Sequence, residues 1–353
     1  MVRGFSPVDQ SPIPGTPAEQ FDYSWIGSGS SYSLRLTFTR GAVAGILDGP
    51  VGRFWINRLN THELRTSAYP VDDSAGNDAA IVGKSVIATK TAAAHVGDAK
   101  ASGPNDIDML VLYTEEARVA AGGPAGQCNG PQDAAGILAV INQALVDTNT
   151  SFANSQVTTR LGNVTIKRLV GFPLPNGIPN VSRDNAARNS ANIQAERTAA
   201  GADVVSVLVD SHVTLGVCGV AFVQRPGCTL PTATPGCGVG ATFNAFAYNV
   251  VSQTCAIVTD AFAHEFGHNL GGEHNPENGP TPAQASFPHS FGHFVNGAFE
   301  TVMSVRRPVG TPQILNFSNP NVVVGVQPTG VVGTRNNALT VNTLSPTFRL
   351  FRD

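Results

Sequence analysis

Residues 259–274 read TDAFAHEFGHNLGGEH. Val258, Phe262, Phe266 and Leu270 recur every four residues, which predicts a helix with one apolar stripe. His264 and His268 each stand two positions beyond a phenylalanine, about 200° round an ideal helix. They therefore leave the opposite face one turn apart, where two imidazoles can share one tetrahedral metal ion. Thr259 or Asp260 stands where the helix needs an N-cap. Glu265, about 100° round from His264, can reach a water at the metal without being a ligand, and a carboxylate there can act as general base. Gly271 follows His268 by three residues and can take the left-handed conformation that ends a helix. The turn brings back His274 as a third ligand and leaves the fourth position open to water, as a catalytic zinc ion requires.

A His-Glu-x-x-His pair alone can also be an ordinary solvated helix face. Gly271 and His274 complete the longer spacing H-E-x-x-H-x-x-G-x-x-H, which resembles the signature of the metzincin zinc peptidases. That resemblance implies a methionine turn beneath the metal, and Met303 in Thr301-Val302-Met303-Ser304-Val305 is the candidate. Further stretches are similar to bacterial reprolysin-like metallopeptidases: Ile107-Asp108-Met109-Leu110-Val111-Leu112-Tyr113-Thr114, Cys218-Gly219-Val220-Ala221, Asn316-Phe317-Ser318-Asn319-Pro320, and the tail from Pro328-Thr329-Gly330 to Asn336-Asn337-Ala338. The likeness covers about residues 105–353. It implies one catalytic zinc ion on His264, His268 and His274, with Glu265 as base, and protein or peptide substrates. It also implies a disulfide between Cys218 and Cys255, and a propeptide character for the residues before 105.

The rest of the chain divides accordingly. Tyr32, Leu34, Leu36 and Phe38 alternate with Ser33, Arg35, Thr37 and Thr39, the period of a half-buried strand. Asp48-Gly49 is a hairpin signal ahead of Phe54-Trp55-Ile56. Residues from about 67 to 104 are small, polar and weakly patterned, as in a linker. From Ile107 the texture changes to strand (107–113), helix (133–154), strand (164–170), helix (186–200) and strand (203–209), the pattern of an α/β sheet. The expected chain is thus α/β (α+β). Residues 1–104 form a small β-rich, propeptide-like region with its linker. Residues 105–353 form a metzincin-type catalytic domain with a twisted mixed sheet, the zinc helix and an irregular lower subdomain. The expected activity is that of a zinc endopeptidase. The alternative is a non-proteolytic extracellular binding or adhesion module on the same scaffold, and the presence of Glu265 separates the two. A structural zinc site would want a fourth protein ligand, which the motif does not supply.

Composition sets the outer limits. Hydrophobic residues make up 42% and charged ones 13%, enough apolar material for a core and too little charge for a disordered chain. A formal net charge of −3 with lysine only at Lys84, Lys90, Lys100 and Lys167 offers no basic footprint for nucleic acid. No run reaches the roughly 18 to 20 apolar residues of a membrane span. Cysteines occur only at Cys128, Cys218, Cys228, Cys237 and Cys255 and read as disulfides, hence export, although the first residues lack the apolar core of a secretory signal. Cys228 and Cys237 flank a Pro-, Thr- and Gly-rich loop that they can close, leaving Cys128 over. His289 and His293 share an i, i+4 spacing that could suggest a second metal site, but Pro288 and Gly292 interrupt any helix there; they are expected in the irregular region between His274 and Met303, where the resemblance implies the substrate pocket. His62, His95 and His212 have no spacing partner. With no cysteine before Cys128, latency by a thiol of this first section is not expected, and Asp72 or Asp73 is the alternative group to block the metal. Scattered Asp and Asn residues assign no calcium site, and nothing indicates an oligomeric state.

Overall fold

The β-branched and aliphatic run at the start of the second section forms β7 (Asp106–Tyr113), the expected buried strand. The computed structural model in which it lies describes residues 6–12, 23–28, 32–49, 52–58, 64–68, 105–126, 131–170, 181–210, 217–225, 240–305 and 311–352. Cys128, Cys228, Cys237, His62, His95, His212, Asp72 and Asp73 lie outside the described residues. Helix α1 (Glu115–Ala120) follows β7, capped by the Thr114 side chain on Ala117 N. A 3-10 turn (Pro131–Ala134) then leads into α2 (Ala135–Asn154).

Next come β8 (Arg160–Arg168), α3 (Val181–Asn189), α4 (Ala191–Ala199), β9 (Val204–Val209), β10 (Gly219–Ala221) and β11 (Tyr248–Ser252). The sheet order is β10-β11-β9-β7-β8. β11, β9, β7 and β8 are parallel, and β10 runs antiparallel on the edge. Parallel neighbours need crossovers; α2 supplies one between β7 and β8, and α3 with α4 another between β8 and β9. β9 is buried at all six positions, as its continuous apolar run predicts.

Two expected elements differ in detail. The strand read at 164–170 runs from 160 to 168. The helix read at 186–200 is two helices, because Ser190 is extended (φ −72, ψ 115) and spends its hydroxyl capping Ile193 N.

The first section is an antiparallel meander of β1 (Ser6–Pro12), β2 (Tyr23–Ser28), β3 (Ser33–Thr39), β4 (Ala42–Gly49), β5 (Gly52–Arg58) and β6 (Leu64–Ala68), in chain order. The alternation predicts the strand β3, and the face it buries is the polar one. Ser33, Arg35, Thr37 and Thr39 are buried, and Leu34, Leu36 and Phe38 are half-buried. The reason lies in the partner. β3 and β4 pack on α2, which offers Asn142, Gln143 and Asp147 there. Asn142 donates to Thr39 Oγ1 (2.9 Å), and Thr37 donates to Gln143 Oε1 (2.8 Å). The hairpin that Asp48-Gly49 signals is present: these residues end β4 and pair antiparallel with Arg53 and Gly52 at the start of β5. Between β3 and β4 the tight turn is Arg40-Gly41, both at positive φ (49° and 76°), as a two-residue hairpin loop requires.

Beyond β11 come α5 (Cys255–Val258) and α6 (Ala261–Asn269). With α2, they lie between the meander, against which α2 and α5 pack, and the mixed sheet, against which α6 packs. The following stretch has only the two-residue pairs β12 (Phe294–Val295) with β13 (Phe299–Glu300) and β14 (Val323–Val324) with β15 (Gln327–Pro328), before α7 (Asn337–Phe348). Scattered backbone pairs such as Val302 N to Asn316 O (2.8 Å) and Ile314 N to Glu300 O (2.9 Å) stand in for long ladders there, and side chains of this stretch add to them. Ser318 donates to Phe291 O (2.7 Å), Asn337 to Ser290 O (2.7 Å) and Asn319 to Ser155 O (2.7 Å).

Candidate active site

α6 is shorter than the apolar stripe predicts. Val258 ends α5, and Thr259 and Asp260 break the chain between the two helices. Neither residue caps α6. The Thr259 hydroxyl donates back to Cys255 O (3.1 Å), and Asp260 takes a left-handed conformation (φ 51°) with its carboxylate turned away. At the other end Gly271 has the left-handed φ (83°) expected of it, and Gly272 N closes on Gly267 O (2.8 Å).

That turn carries His274 back over the helix. His274 Nε2 lies 3.1 Å from both His264 Nε2 and His268 Nε2. His264 donates its Nδ1 proton to Val302 O (2.7 Å), and His268 donates its own to Gly272 O (2.8 Å). A neutral ring whose Nδ1 donates in this way turns an Nε2 lone pair toward His274. Burial, then the neighbouring His264 and His274, hold His268 well below its ordinary pKa and keep it neutral. Converging nitrogen lone pairs repel unless a cation lies among them. Four-coordinate zinc with nitrogen ligands at 2.0–2.1 Å sets those nitrogens about 3.3 Å apart, close to the spacing seen. The donor set fits such an ion. Among the described residues these three histidines are the group of His, Cys, Asp or Glu able to hold one.

Glu265 is buried beside them and pressed on edge strand β10. A Cβ at Gly219 would come within 2.4 Å of its Cγ and Oε1. The strand is held there by a disulfide between Cys218 and Cys255, as the resemblance implies. A small cavity opens next to Glu265 and His264, lined also by Thr259, Ser304, Val305 and Gln313. Met303 lies fully buried under the helix, and a Cβ at Gly267 would meet its Sδ at 2.4 Å.

Several supporting residues carry no signal in the sequence. Asn269 ties the end of α6 to the sheet, donating to Phe222 O and Tyr248 O (both 2.9 Å). Arg225 grips Glu273, next to the third histidine, through two hydrogen bonds (2.6 and 2.8 Å). Asn275 accepts from Val305 N (2.9 Å), bracing the segment after Met303. Their partners lie 21 to 48 residues away in sequence, so no local pattern could reveal them. His289 stacks on Phe287. His293 meets Arg335 (3.2 Å), and burial with that guanidinium pushes its pKa down to about 4.

The reprolysin-type model of metallopeptidase family M12 matches residues 103–318, more than half of the chain and the span holding the three histidines, Glu265 and Met303. The chain belongs to metallopeptidase family M12. The M12 match agrees with curated relatives. A peptidyl-Asp metalloendopeptidase of Pseudomonas aeruginosa is 30% identical over 257 residues, covering 68% of this chain and 39% of that protein. One of Xanthomonas campestris is 24% identical over 241 residues, covering 68% and 50%. The chain thus spans half or less of these relatives' length. A solved structure described as a chaperone-substrate complex shares the fold, with a TM-score of 0.51 at 20% identity over 70% of this chain and 36% of that one. Membership of M12 implies a metal, typically zinc, and the three-histidine group is where this chain can hold it.

Proposed function

We propose that this chain is a secreted zinc-dependent endopeptidase of the metzincin type, in which residues 105–353 are the peptidase domain and residues 1–104 a propeptide-like region with its linker. The observation that carries the reading is the convergence of three histidine nitrogens, two from one short helix and one from beyond the turn that ends it, beside a buried glutamate of that helix. His264, His268 and His274 would hold the zinc, which when bound supplies a Lewis acid that makes water acidic near pH 7. Glu265 takes a proton from the attacking water and passes it to the leaving amine as the peptide bond opens. The carbonyls of Val302 and Gly272 orient the two helix histidines, as outer partners of metal ligands generally do. Met303, packed against Gly267, serves as the methionine turn that supports them.

Export is supported by the Cys218–Cys255 disulfide, since such bonds persist in oxidising compartments. No helix among the described residues is long and apolar enough to cross a membrane. Relatives named peptidyl-Asp metalloendopeptidase make aspartate-containing peptides the first substrates to try.

The test is hydrolysis of a mixed peptide library by protein of measured zinc content, with Glu265→Ala alongside. Cleavage by the parent and none by the zinc-loaded variant is the expected result. A zinc-loaded parent that cuts nothing, before and after removal of residues 1–104, overturns the peptidase reading in favour of a binding module.

A further inference from the structure

Five charged side chains that the peptidase chemistry does not use meet behind the first turn of α6. Arg35 of β3, Asp48 of β4 and Arg53 of β5 come from the N-terminal meander; Asp147 comes from α2, and Asp260 directly precedes α6. None is more than 4% exposed. Arg53 donates to Asp48 Oδ1 (2.7 Å), to Val258 O (2.8 Å) and to Gln313 Oε1 (3.2 Å), and its Nη1 stands 3.6 Å from Asp260 Oδ2. Arg35 Nη1 stands 2.7 Å from Asp147 Oδ1 and 3.5 Å from Asp260 Oδ1. Thr37, through Gln143, continues the seam to Asp147.

Asp260 is the telling member. It occupies a left-handed conformation that is costly for a residue with a Cβ, and it gives up the capping role its position offers. Both carboxylate oxygens are buried without a hydrogen bond, so the two guanidiniums are what offsets their charge. A buried carboxylate with no counter-charge is expelled or protonated. Asp147 already shows this pressure: burial pushes its pKa up to about 7, with Arg35 pulling it down and Asp260 pushing it up. Taken by itself, the peptidase side of this interface presents two buried carboxylates facing one another, and both cations that answer them arrive on the meander.

We propose that Asp147 and Asp260 are a receptor site for the guanidinium groups of the chain's own N-terminal sheet, and that seating Arg35 and Arg53 there fixes the residue from which α6 starts. The meander is then a positioning partner of the helix that carries His264 and His268. In its metal readout this rests on the peptidase reading; in its backbone readout it does not.

The experiment uses the full chain with Arg35→Met, Arg53→Met, Asp260→Asn and the paired Arg35→Met/Asp147→Leu, which removes a cation and an anion together. Amide hydrogen exchange across 255–270 is compared with exchange in β7 and β9, and zinc loss to a chelator is timed. The expected result is that each single arginine variant speeds exchange at the start of α6 by about tenfold or more while β7 and β9 hold. Zinc is expected to leave about tenfold faster, a typical cost of disturbing a metal ligand's support. The paired variant should return toward the parent, because a matched apolar pair tolerates burial where a lone charge does not. Unchanged exchange at α6 in both arginine variants overturns the proposal. Should a single variant fail to fold, the paired one decides: a folded pair with a protected α6 supports the proposal, and a pair as disordered as the single variant overturns it. A parent that binds no zinc counts against the peptidase reading, and the exchange data still judge this one.

Discussion

The histidine group and the Arg35–Asp260 cluster are both buried and both polar, and they bracket the first turns of α6. In the first, three imidazoles come from eleven consecutive residues, 264–274. Two of the rings commit their N–H groups to carbonyls, and the Nε2 atoms are left pointing at one another. In the second, the members come from five places between residues 35 and 260, and two cations stand among three anions. One cluster is electrostatically unfinished and wants something from outside the chain. The other is nearly closed by its own pairing. An unfinished cluster is where chemistry is to be sought; a closed one is architecture, weak as a source of net stability but damaging when half removed.

The contrast can be broken by measurement. Glu265→Ala should lower kcat/KM by about 10²–10⁴-fold, the usual worth of a general base. Metal content and unfolding midpoint should stay put; a parallel fall in stability would erase the distinction. Replacing Cys218 and Cys255 by serine should cost about 2–4 kcal/mol in urea unfolding, and the turnover of molecules still folded should survive. Gly219→Ala sharpens the comparison from the catalytic side. Its Cβ would intrude on the Glu265 carboxylate, so kcat/KM should fall by about 10–100-fold in protein that still holds zinc.

The smallest effect is a slope. The folded pKa of Asp147 is raised from 3.8 to about 7, so its contribution to stability is complete below about pH 4 and is lost as pH rises through about 7. Urea unfolding of chelator-treated parent minus Asp147→Asn, from pH 5 to 8, should fall by up to about 1 kcal/mol per pH unit. A flat difference would show that Arg35 has already cancelled the burial cost.

Legibility in the sequence follows the same division. The histidine group could be read because one helical turn and one glycine bring its parts together, and helix periodicity is a short-range signal. Met303 was reachable only through family resemblance, since nothing in Thr301–Val305 tells a residue under α6 from any other core methionine. β3 shows where pattern reading stops. Alternation reveals a strand, but the buried face is chosen by the partner, and α2 presents amides and a carboxylate there. Asp260 reads as a helix cap until the arginines more than 200 positions earlier are placed beside it. Asn269, Glu273 and Asn275 were silent for the same reason: each is specified by a contact, not by its neighbours in the chain.

Met303 has one more consequence. Its sulfur is sealed under α6, against a glycine that leaves no room even for a methyl group. An oxygen added to that sulfur would have nowhere to go, so peroxide can reach it only in molecules whose floor has momentarily opened. Met109, equally sealed in the central sheet, opens with a different part of the fold. The ratio of sulfoxide at the two positions, followed by mass spectrometry, is therefore a clock carried by the protein itself, comparing how often the ground beneath the histidines gives way with how often the sheet does.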